Sequence, residues 1–187
     1  MWLCEAATVE DALVMKQLKA EQHDHPRFVV QEHHASRLHY DFRLEIDGVL
    51  KSWAIPKGPS MSPADKRLAV LVDDHPLKYA TFEGIIPSGR YGAGAVVMWD
   101  TGTYELLEEP NANTQLQRGS LKFRLHGRQL NGAFALVKLT GPRATGKEWL
   151  LMKKMDEYAL VAFSLKSALT PAKRARLVEV APPCKVA

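Results

Sequence analysis

Apolar and polar residues alternate strictly between Leu38 and Ile46, which is the clearest pattern in the chain. The apolar positions are Leu38, Tyr40, Phe42, Leu44 and Ile46. The polar positions between them are His39, Asp41, Arg43 and Glu45. A period of two predicts a half-buried β-strand, because successive strand side chains point to opposite faces. This strand would therefore carry an imidazole, a carboxylate and a guanidinium in a row on one face.

Short patterns of the same kind follow one another along the chain and predict further strands. Asp47-Gly48 predicts a tight hairpin, and Asp100-Thr101-Gly102 predicts another turn. Regularly spaced strands with little helix indicate a mostly β protein, either an antiparallel β-barrel or a β-sandwich. The predicted strands are residues 27–32, 38–46, 49–55, 67–73, 95–100, 103–107, 120–125, 133–139 and 148–154.

Helical signals are confined to the two ends of the chain. Residues 8–22 space their apolar side chains at helical intervals, with Thr8 as the predicted N-cap and Pro26 beyond the end. After about residue 167 the prolines predict a short helix followed by a loose tail. The predicted organisation is an N-terminal helical segment, a barrel domain and a C-terminal segment, at residues 1–26, 27–160 and 161–187.

The composition is that of an ordinary globular domain, with 46% hydrophobic and 25% charged residues among 187. No apolar run approaches the ~20 residues that span a bilayer, and the first residues lack a secretory pattern. Cys4 and Cys184 lack zinc-like spacing and make no disulfide framework, which fits a reducing compartment. We therefore expect a cytoplasmic protein without membrane contact.

The net charge of +4 is unevenly distributed. Residues 1–26 hold five acidic and two basic side chains, whereas residues 164–187 hold five basic and one acidic. A basic tail is compatible with nucleic acid, but most such tails are simply solvated, so charge alone decides nothing.

His33, His39 and Asp41 are the candidate metal ligands. If the chain bends between His34 and Arg37, His33 returns to the face that carries His39 and Asp41. Two nitrogens and one oxygen suit Mn²⁺, Fe²⁺, Co²⁺ or Zn²⁺ better than Mg²⁺. Two other interpretations stay open at this point: a solvated strand face without function, and the ligand set of a non-haem iron oxygenase.

Several basic and aromatic residues are candidates for binding a phosphate. The guanidinium group of arginine binds phosphate well. Lys57 lies in a loop between two prolines, which restrict the backbone and can hold the lysine in place. A histidine before proline is extended and would be a general acid or a donor to a phosphoryl oxygen. Taken singly, each is more often a surface charge or a core residue. The candidates are Arg43, Lys57, Arg67, His75 and Tyr79, and Arg90 is a less favoured candidate for substrate contact.

Other common catalytic motifs are absent from the sequence. The glycine-rich residues 86–94 lack the Gly-Lys-Ser/Thr ending of a P-loop, and no helix is predicted after them. We interpret them as a wide hairpin. No Gly-x-Ser-x-Gly elbow is present, and neither cysteine has the surroundings of a nucleophile, so a covalent mechanism has no support.

A long series of motifs resembles the 3′-phosphoesterase domain of bacterial DNA ligase D. The series begins with Gln31-Glu32-His33-His34-Ala35-Ser36-Arg37-Leu38-His39-Tyr40-Asp41-Phe42-Arg43. It continues through residues 50–59, Asp74-His75-Pro76, Tyr79, residues 82–87, Tyr91-Gly92-Ala93-Gly94 and residues 148–153. The resemblance covers roughly residues 27–154, and motifs of this length are highly specific.

The resemblance implies a manganese-preferring enzyme that heals DNA 3′ ends during non-homologous end joining and is built on a small closed antiparallel β-barrel. Such an enzyme removes a 3′-terminal ribonucleoside and a 3′-phosphate from a primer-template, with Co²⁺ or Zn²⁺ as further candidate metals. It would act near the nucleoid, together with a ligase, a polymerase or a Ku-like protein. Carried over, the metal ligands are His33, His39 and Asp41; the phosphate contacts are Arg43, Lys57, Arg67 and Tyr79; and the catalytic group is His75 with Arg43, Arg67 and Tyr79.

The chain departs from this family before residue 26. Family members usually open with a Tyr-x-x-Lys-Arg-Asp-Phe-like segment that contributes an acidic active-site group, and the chain has no such motif. Glu10, Asp11 and Glu21 are acidic residues of that region without an assigned role. A further alternative is therefore a non-catalytic module with the same fold that binds DNA ends or a partner.

Overall fold

The structure, a computed structural model, describes residues 25–142 and 144–183. Its strands are β1 (Arg27–His34), β2 (Leu38–Ile46), β3 (Val49–Ile55), β4 (Lys66–Pro76), β5 (Gly84–Ile86), β6 (Gly94–Leu106), β7 (Ser120–His126), β8 (Asn131–Lys138) and β9 (Glu148–Lys153). A 3₁₀ helix (Leu77–Thr81) and two short helices, α1 (Ala112–Gln117) and α2 (Pro171–Arg174), complete this part of the chain. The helix predicted for residues 8–22 lies outside the described residues.

Eight of the nine described strands close into a ring in the order β1-β2-β3-β4-β9-β8-β7-β6, and β6 pairs back with β1. These pairings are antiparallel. β5 lies outside the ring and pairs with the start of β6. The predicted mostly β, closed antiparallel barrel is confirmed. Across the described ranges, no helix has the length and apolar character needed to cross a membrane.

Alternate residues of the strands fill the inside of the ring. On β2, Tyr40, Phe42 and Leu44 are at most 4% exposed. The Phe42 ring centroid lies 5.9 Å from that of Phe123 and 6.4 Å from that of Trp53. Burial of one large apolar side chain contributes roughly 1.5–3 kcal/mol. The apolar half of the β2 pattern therefore builds the barrel core.

A second apolar cluster lies on the outer face of the barrel. The 3₁₀ helix and β5 supply Tyr79, Ala80 and Ile86 to this cluster, together with residues of β1, β3 and β6, and polar residues of β1 and β2 such as Gln31 and Arg43 are also buried. The cluster consists of Val29, Leu50, Tyr79, Ala80, Phe82, Ile86 and Val96.

The two predicted turns have different outcomes. Asp47 and Gly48 join β2 to β3 with φ angles of 49° and 80°, so the tight hairpin is confirmed. The turn predicted at Asp100-Thr101-Gly102 is wrong, because β6 runs through these residues without a break. A Cβ on Gly102 would lie 2.0 Å from the carbonyl oxygen of His126, so this glycine permits close backbone approach. Asp100 accepts N–H groups from the loop at residues 128–130.

The C-terminal segment is bonded to the barrel. Ser167 Oγ donates to the buried carboxylate of Glu32 at 2.6 Å. The Ile85 N–H donates to the Val178 carbonyl at 2.9 Å, and the Val180 N–H donates to the Ile85 carbonyl at 3.0 Å. The short C-terminal helix is confirmed as α2. The residues after it were expected to form a loose tail, but Val178 and Val180 are hydrogen-bonded to Ile85 of β5. The division of the chain at residues 26 and 160 stays a prediction.

Candidate active site

Strand register brings His33, His39 and Asp41 together at one end of the β1–β2 pair. His33 lies directly opposite His39, and Asp41 follows two residues later on the same face of β2. His33 Nδ1 is 3.3 Å from one carboxylate oxygen of Asp41, and His39 Nε2 is 3.7 Å from the other. One candidate ligand atom from each residue lies within 4.8 Å of the other two. Three donors at such distances can share one ion.

Backbone carbonyls fix the orientation of both imidazoles. His33 Nε2 is 2.8 Å from the Gly92 carbonyl oxygen, and His39 Nδ1 is 2.9 Å from the Arg37 carbonyl oxygen. Because a carbonyl oxygen only accepts, each of these nitrogens carries the proton. The opposite nitrogen of each neutral ring therefore directs a lone pair toward Asp41. A second N–H bonded to a carbonyl is the usual support of a metal-ligating histidine.

The surroundings of Asp41 keep its carboxyl group ionised. Burial by itself would raise the pKa of Asp41, but the positive charge of Arg43 opposes it, and a hydrogen bond from His33 and the charges of His33 and His39 add to the lowering when these rings are protonated. The result is a pKa lowered to about 2. At neutral pH the site therefore holds a carboxylate beside two imidazoles.

Arg43 is a buried hub between the candidate metal ligands and His75. Only 2% of the residue is exposed. Its Nε donates to Gln31 at 2.9 Å, and its Nη1 donates to Ser52 Oγ and to His75 Nδ1, both at 2.8 Å. Its Nη2 donates to Asp41 at 3.1 Å. Within the described residues these contacts leave one N–H, on Nη2, for a ligand.

His75 reaches this site because the pairing of β3 and β4 is irregular. Ser52 pairs with Val72 but Leu50 pairs with His75, so one extra residue of β4 lies between the two pairs. Such an irregularity turns the following side chain to the other face of the strand. His75 Nδ1 then accepts the Arg43 N–H, so the proton of a neutral His75 is on Nε2.

The Tyr79 ring covers Arg43 and His75 from the 3₁₀ helix. The guanidinium carbon of Arg43 is 4.7 Å from its centroid, and the His75 ring meets it edge-on at the same centroid distance. Burial raises the pKa of the Tyr79 phenol; Arg43 opposes this shift and Asp41 adds to it. Tyr79 is therefore a neutral hydrogen-bond donor at neutral pH.

These side chains open into a cavity of about 710 Å³. Its wall on one side is the hairpin between β5 and β6, which contributes Arg90, Tyr91 and Gly92, as the glycine-rich sequence predicts. Pro182 and Pro183 of the C-terminal segment line it as well.

Lys57 and Arg67 are the predicted phosphate contacts that, among the described residues, do not line the cavity. Lys57 is exposed in the turn after β3. Arg67 pairs in register with the core residue Leu151, which places it on the inward-facing side of β4. Its Nη2 donates to Asp65 at 2.7 Å. Glu10, Asp11 and Glu21 lie outside the described residues.

Two site residues were missed by the sequence reasoning. Gln31 is fully buried, and it accepts from Arg43 while donating to the Tyr79 and Phe82 carbonyls. Ser52, also fully buried, accepts from Arg43. The signal for Gln31 is its two-residue spacing from His33 on a predicted strand, which puts both on one face.

Comparisons with known proteins show which family the chain is similar to. A family model described as the DNA Ligase D 3′-phosphoesterase domain matches residues 31–138. The chain is 55% identical over 130 residues to the multifunctional non-homologous end joining protein LigD of Pseudomonas aeruginosa, covering 70% of this chain and 15% of that protein. It is 50% identical over 119 residues to the Mycobacterium tuberculosis LigD, covering 62% of this chain and 15% of that one. Against the LigD of Mycolicibacterium smegmatis the identity is 45% over 135 residues, covering 70% and 17%.

Proposed function

The chain belongs to the DNA ligase D 3′-phosphoesterase domain family, and on that premise we propose that it is a metal-dependent phosphoesterase that heals DNA 3′ ends. It would remove a 3′-phosphate or a 3′-terminal ribonucleoside and leave a 3′-hydroxyl for ligation in non-homologous end joining. The chain spans about 15% of the length of the first two relatives reported above. Cooperation with a ligase, a polymerase or a Ku-like protein, and action on DNA near the nucleoid, are parts of the proposal.

One observation carries this proposal: three candidate metal ligands lie together beside the buried guanidinium of Arg43. Candidate ligand atoms of His33, His39 and Asp41 lie within 4.8 Å of one another. The second ring nitrogen of each imidazole is hydrogen-bonded to a backbone carbonyl. Two nitrogens and one oxygen fit Mn²⁺, Co²⁺ or Zn²⁺, of which Mn²⁺ is proposed. When bound, such an ion polarises a phosphoryl oxygen and lowers the pKa of a water.

The chain's own residues supply charge and protons around the phosphate. We assign phosphate binding to the remaining Nη2 N–H of Arg43 and to the neutral phenol of Tyr79. His75 carries its proton on Nε2, because Nδ1 accepts from Arg43. It would donate to the leaving oxygen or to a phosphoryl oxygen that gathers charge. The roles of Lys57 and Arg67 stay predictions, because neither lines the cavity.

A metal titration on defined DNA ends tests the proposal. One primer-template ends in a 3′-phosphate and the other in a single 3′-ribonucleotide; each is incubated with Mn²⁺, Co²⁺, Zn²⁺ or Mg²⁺. We expect phosphate release from the first substrate, highest with Mn²⁺ and lowest with Mg²⁺, and shortening of the second. Salt-sensitive binding of both ends without hydrolysis under any metal would refute the enzyme and favour the non-catalytic module.

A further inference from the structure

The hairpin between β5 and β6 presents a large aromatic ring at the mouth of the cavity. Tyr91 lines the cavity, yet 88% of the residue is exposed. Tyr79, the other tyrosine of this cavity, is 5% exposed and packs on Arg43 and His75. A tyrosine ring that lines the cavity and is mostly exposed at its mouth presents apolar surface to a flat group that enters the cavity.

The backbone of this hairpin is held at a fixed position relative to the candidate metal ligands. The Arg90 N–H donates to the Pro87 carbonyl at 3.3 Å, and the Ala93 N–H donates to the Arg90 carbonyl at 3.1 Å. Gly92, next to Tyr91, has a φ of 77° and accepts from His33 Nε2 at 2.8 Å. The residue next to Tyr91 is therefore hydrogen-bonded to His33, a candidate metal ligand.

The substrate class proposed above has a flat apolar group at a matching place. The 3′-terminal phosphate is joined to its nucleobase through a single sugar ring. A phosphate held beside His33 and Asp41 therefore brings that base within reach of the hairpin. Aromatic side chains stack on every base, because every base has a π-face, and so they bind DNA ends without sequence preference.

We propose that the Tyr91 ring is the stacking platform for the terminal nucleobase, with the Arg90 guanidinium on the adjoining sugar-phosphate backbone. This inference rests on the proposed function and adds a base-binding subsite to it. The stacked base fixes the terminal nucleotide, so that its 3′ substituent faces the candidate metal ligands. The subsite accepts all four bases and rejects an end that has no base.

A fluorescent base tests the platform without turnover. A primer-template with 2-aminopurine as its 3′-phosphorylated terminal base is titrated with the wild-type chain, without added metal, and fluorescence reports stacking. Tyr91→Ala should abolish the quenching and weaken affinity by about 5- to 150-fold, the range measured for loss of one stacked base. Tyr91→Trp should restore both. Tyr158→Ala is the matched control, because Tyr158 is 46% exposed and does not line this cavity in the described residues.

Activity on two ends completes the test. On a 3′-phosphorylated end with a base, Tyr91→Ala should raise KM far more than it lowers kcat; on an abasic 3′-phosphorylated end it should match wild type. Equal loss on both ends, no loss on either, or a wild-type chain that does not quench 2-aminopurine would overturn the platform. Quenching that depends on Tyr91 in a chain without hydrolysis would count against the proposed enzyme alone.

Discussion

The two faces of β2 are built under different rules. On the inner face Tyr40, Phe42 and Leu44 pack into a core where shape and volume decide the fit. On the outer face Asp41 and Arg43 are also buried, at 7% and 2% exposure, but each polar atom there has a named partner. A core of the first kind tolerates apolar exchange of similar volume. A network of the second kind tolerates almost none, since removal of one member leaves another buried and unpaired.

The buried charge of Arg43 shows what the outer face costs and what it provides. Transfer of a guanidinium from water into a protein is unfavourable unless its hydrogen bonds are replaced. Gln31, Ser52, Asp41 and His75 replace four of its five hydrogen bonds here. The same four contacts hold a candidate metal ligand and a candidate proton donor at fixed positions. Stability and function are therefore coupled on this face and separate on the other.

Replacement of a candidate metal ligand should have the largest effect. His39→Ala removes one of the three donors that form this group among the described residues, so phosphate release should fall by more than the ~10- to 100-fold typical of an outer supporting residue. Because the His39 side chain is 23% exposed, stability should change little. Phosphate release from a 3′-phosphorylated primer and urea unfolding measure the two effects.

His34→Ala is the matched control for this substitution. His34 is also a histidine of this strand pair, but it pairs with Glu32 at 2.6 Å and is not among the described residues that line the cavity. Its activity should stay within a few-fold of wild type. Equal activity of the His34 and His39 variants would remove the distinction between the outer-face site and its surroundings.

Phe42→Ala should have the next largest effect, and on stability alone. The ring is fully buried and contacts Phe28, Trp53 and Phe123. Its loss leaves a cavity that lowers the free energy of unfolding by about 3–5 kcal/mol. Urea unfolding measures this change, and Leu38→Ala, on the same strand but 46% exposed, should change it by less than about 0.5 kcal/mol. Activity per folded molecule should persist; its loss would show that the two faces are not separate.

Arg43→Lys should lower activity and stability together. Lysine keeps the charge but not the planar fork that reaches four partners, so Gln31 or Ser52 loses its bond. We expect about 1–3 kcal/mol less stability and roughly 10- to 100-fold less activity. Arg27→Lys is the control, because Arg27 pairs with Glu45 and its side chain is 32% exposed. This substitution should change stability and activity very little. A fall in stability without a fall in activity would show that stability and function are not coupled at Arg43.

Asp156→Asn probes a buried ion pair that, among the described residues, does not line the cavity. Burial would raise the pKa of Asp156, but Lys153 and two backbone N–H groups outweigh it and lower that pKa. A lowered pKa stabilises the fold above about pH 4, and this stabilisation is lost as pH falls toward the folded value. Urea unfolding between pH 7 and pH 2 should therefore show a shallower acid decline for the variant, with activity retained.

Glu157→Gln is the control for the acid measurement. The Glu157 side chain is 68% exposed, with Arg124 at 3.9 Å, so its removal should leave the acid decline as in wild type. An acid decline in Asp156→Asn as steep as in wild type would show that this pair adds no pH-dependent stability.

The sequence predicted those parts of the fold that depend on local pattern. Alternation identified β2 and β3 with their observed ends, and the bend before Arg37 correctly brings His33 back toward His39. It failed at Asp100 and Gly102, where turn-forming residues serve a close approach to His126. That contact joins strands distant in sequence, so a local pattern cannot reveal it.

The candidate site was predictable to the same extent. Residues on β1 and β2 follow from period and register, whereas the face of His75 depends on an irregular pairing between β3 and β4. Lys57 and Arg67 carry the charge expected of phosphate contacts, yet the barrel geometry directs Arg67 to Asp65. Chemistry can be assigned from residue type, but convergence depends on strand pairing.

The irregular pairing of β4 gives strand register a role of its own. The segment between Val72 and His75 contains one residue more than a regular ladder needs. In a regular ladder of the same residues, Asp74 would pair with Leu50, and the imidazole of His75 would lie on the other face of β4, away from Arg43. The backbone register of β4 therefore decides whether this barrel presents a proton donor at its site, and a relative with the same residues in a regular pairing would lack one.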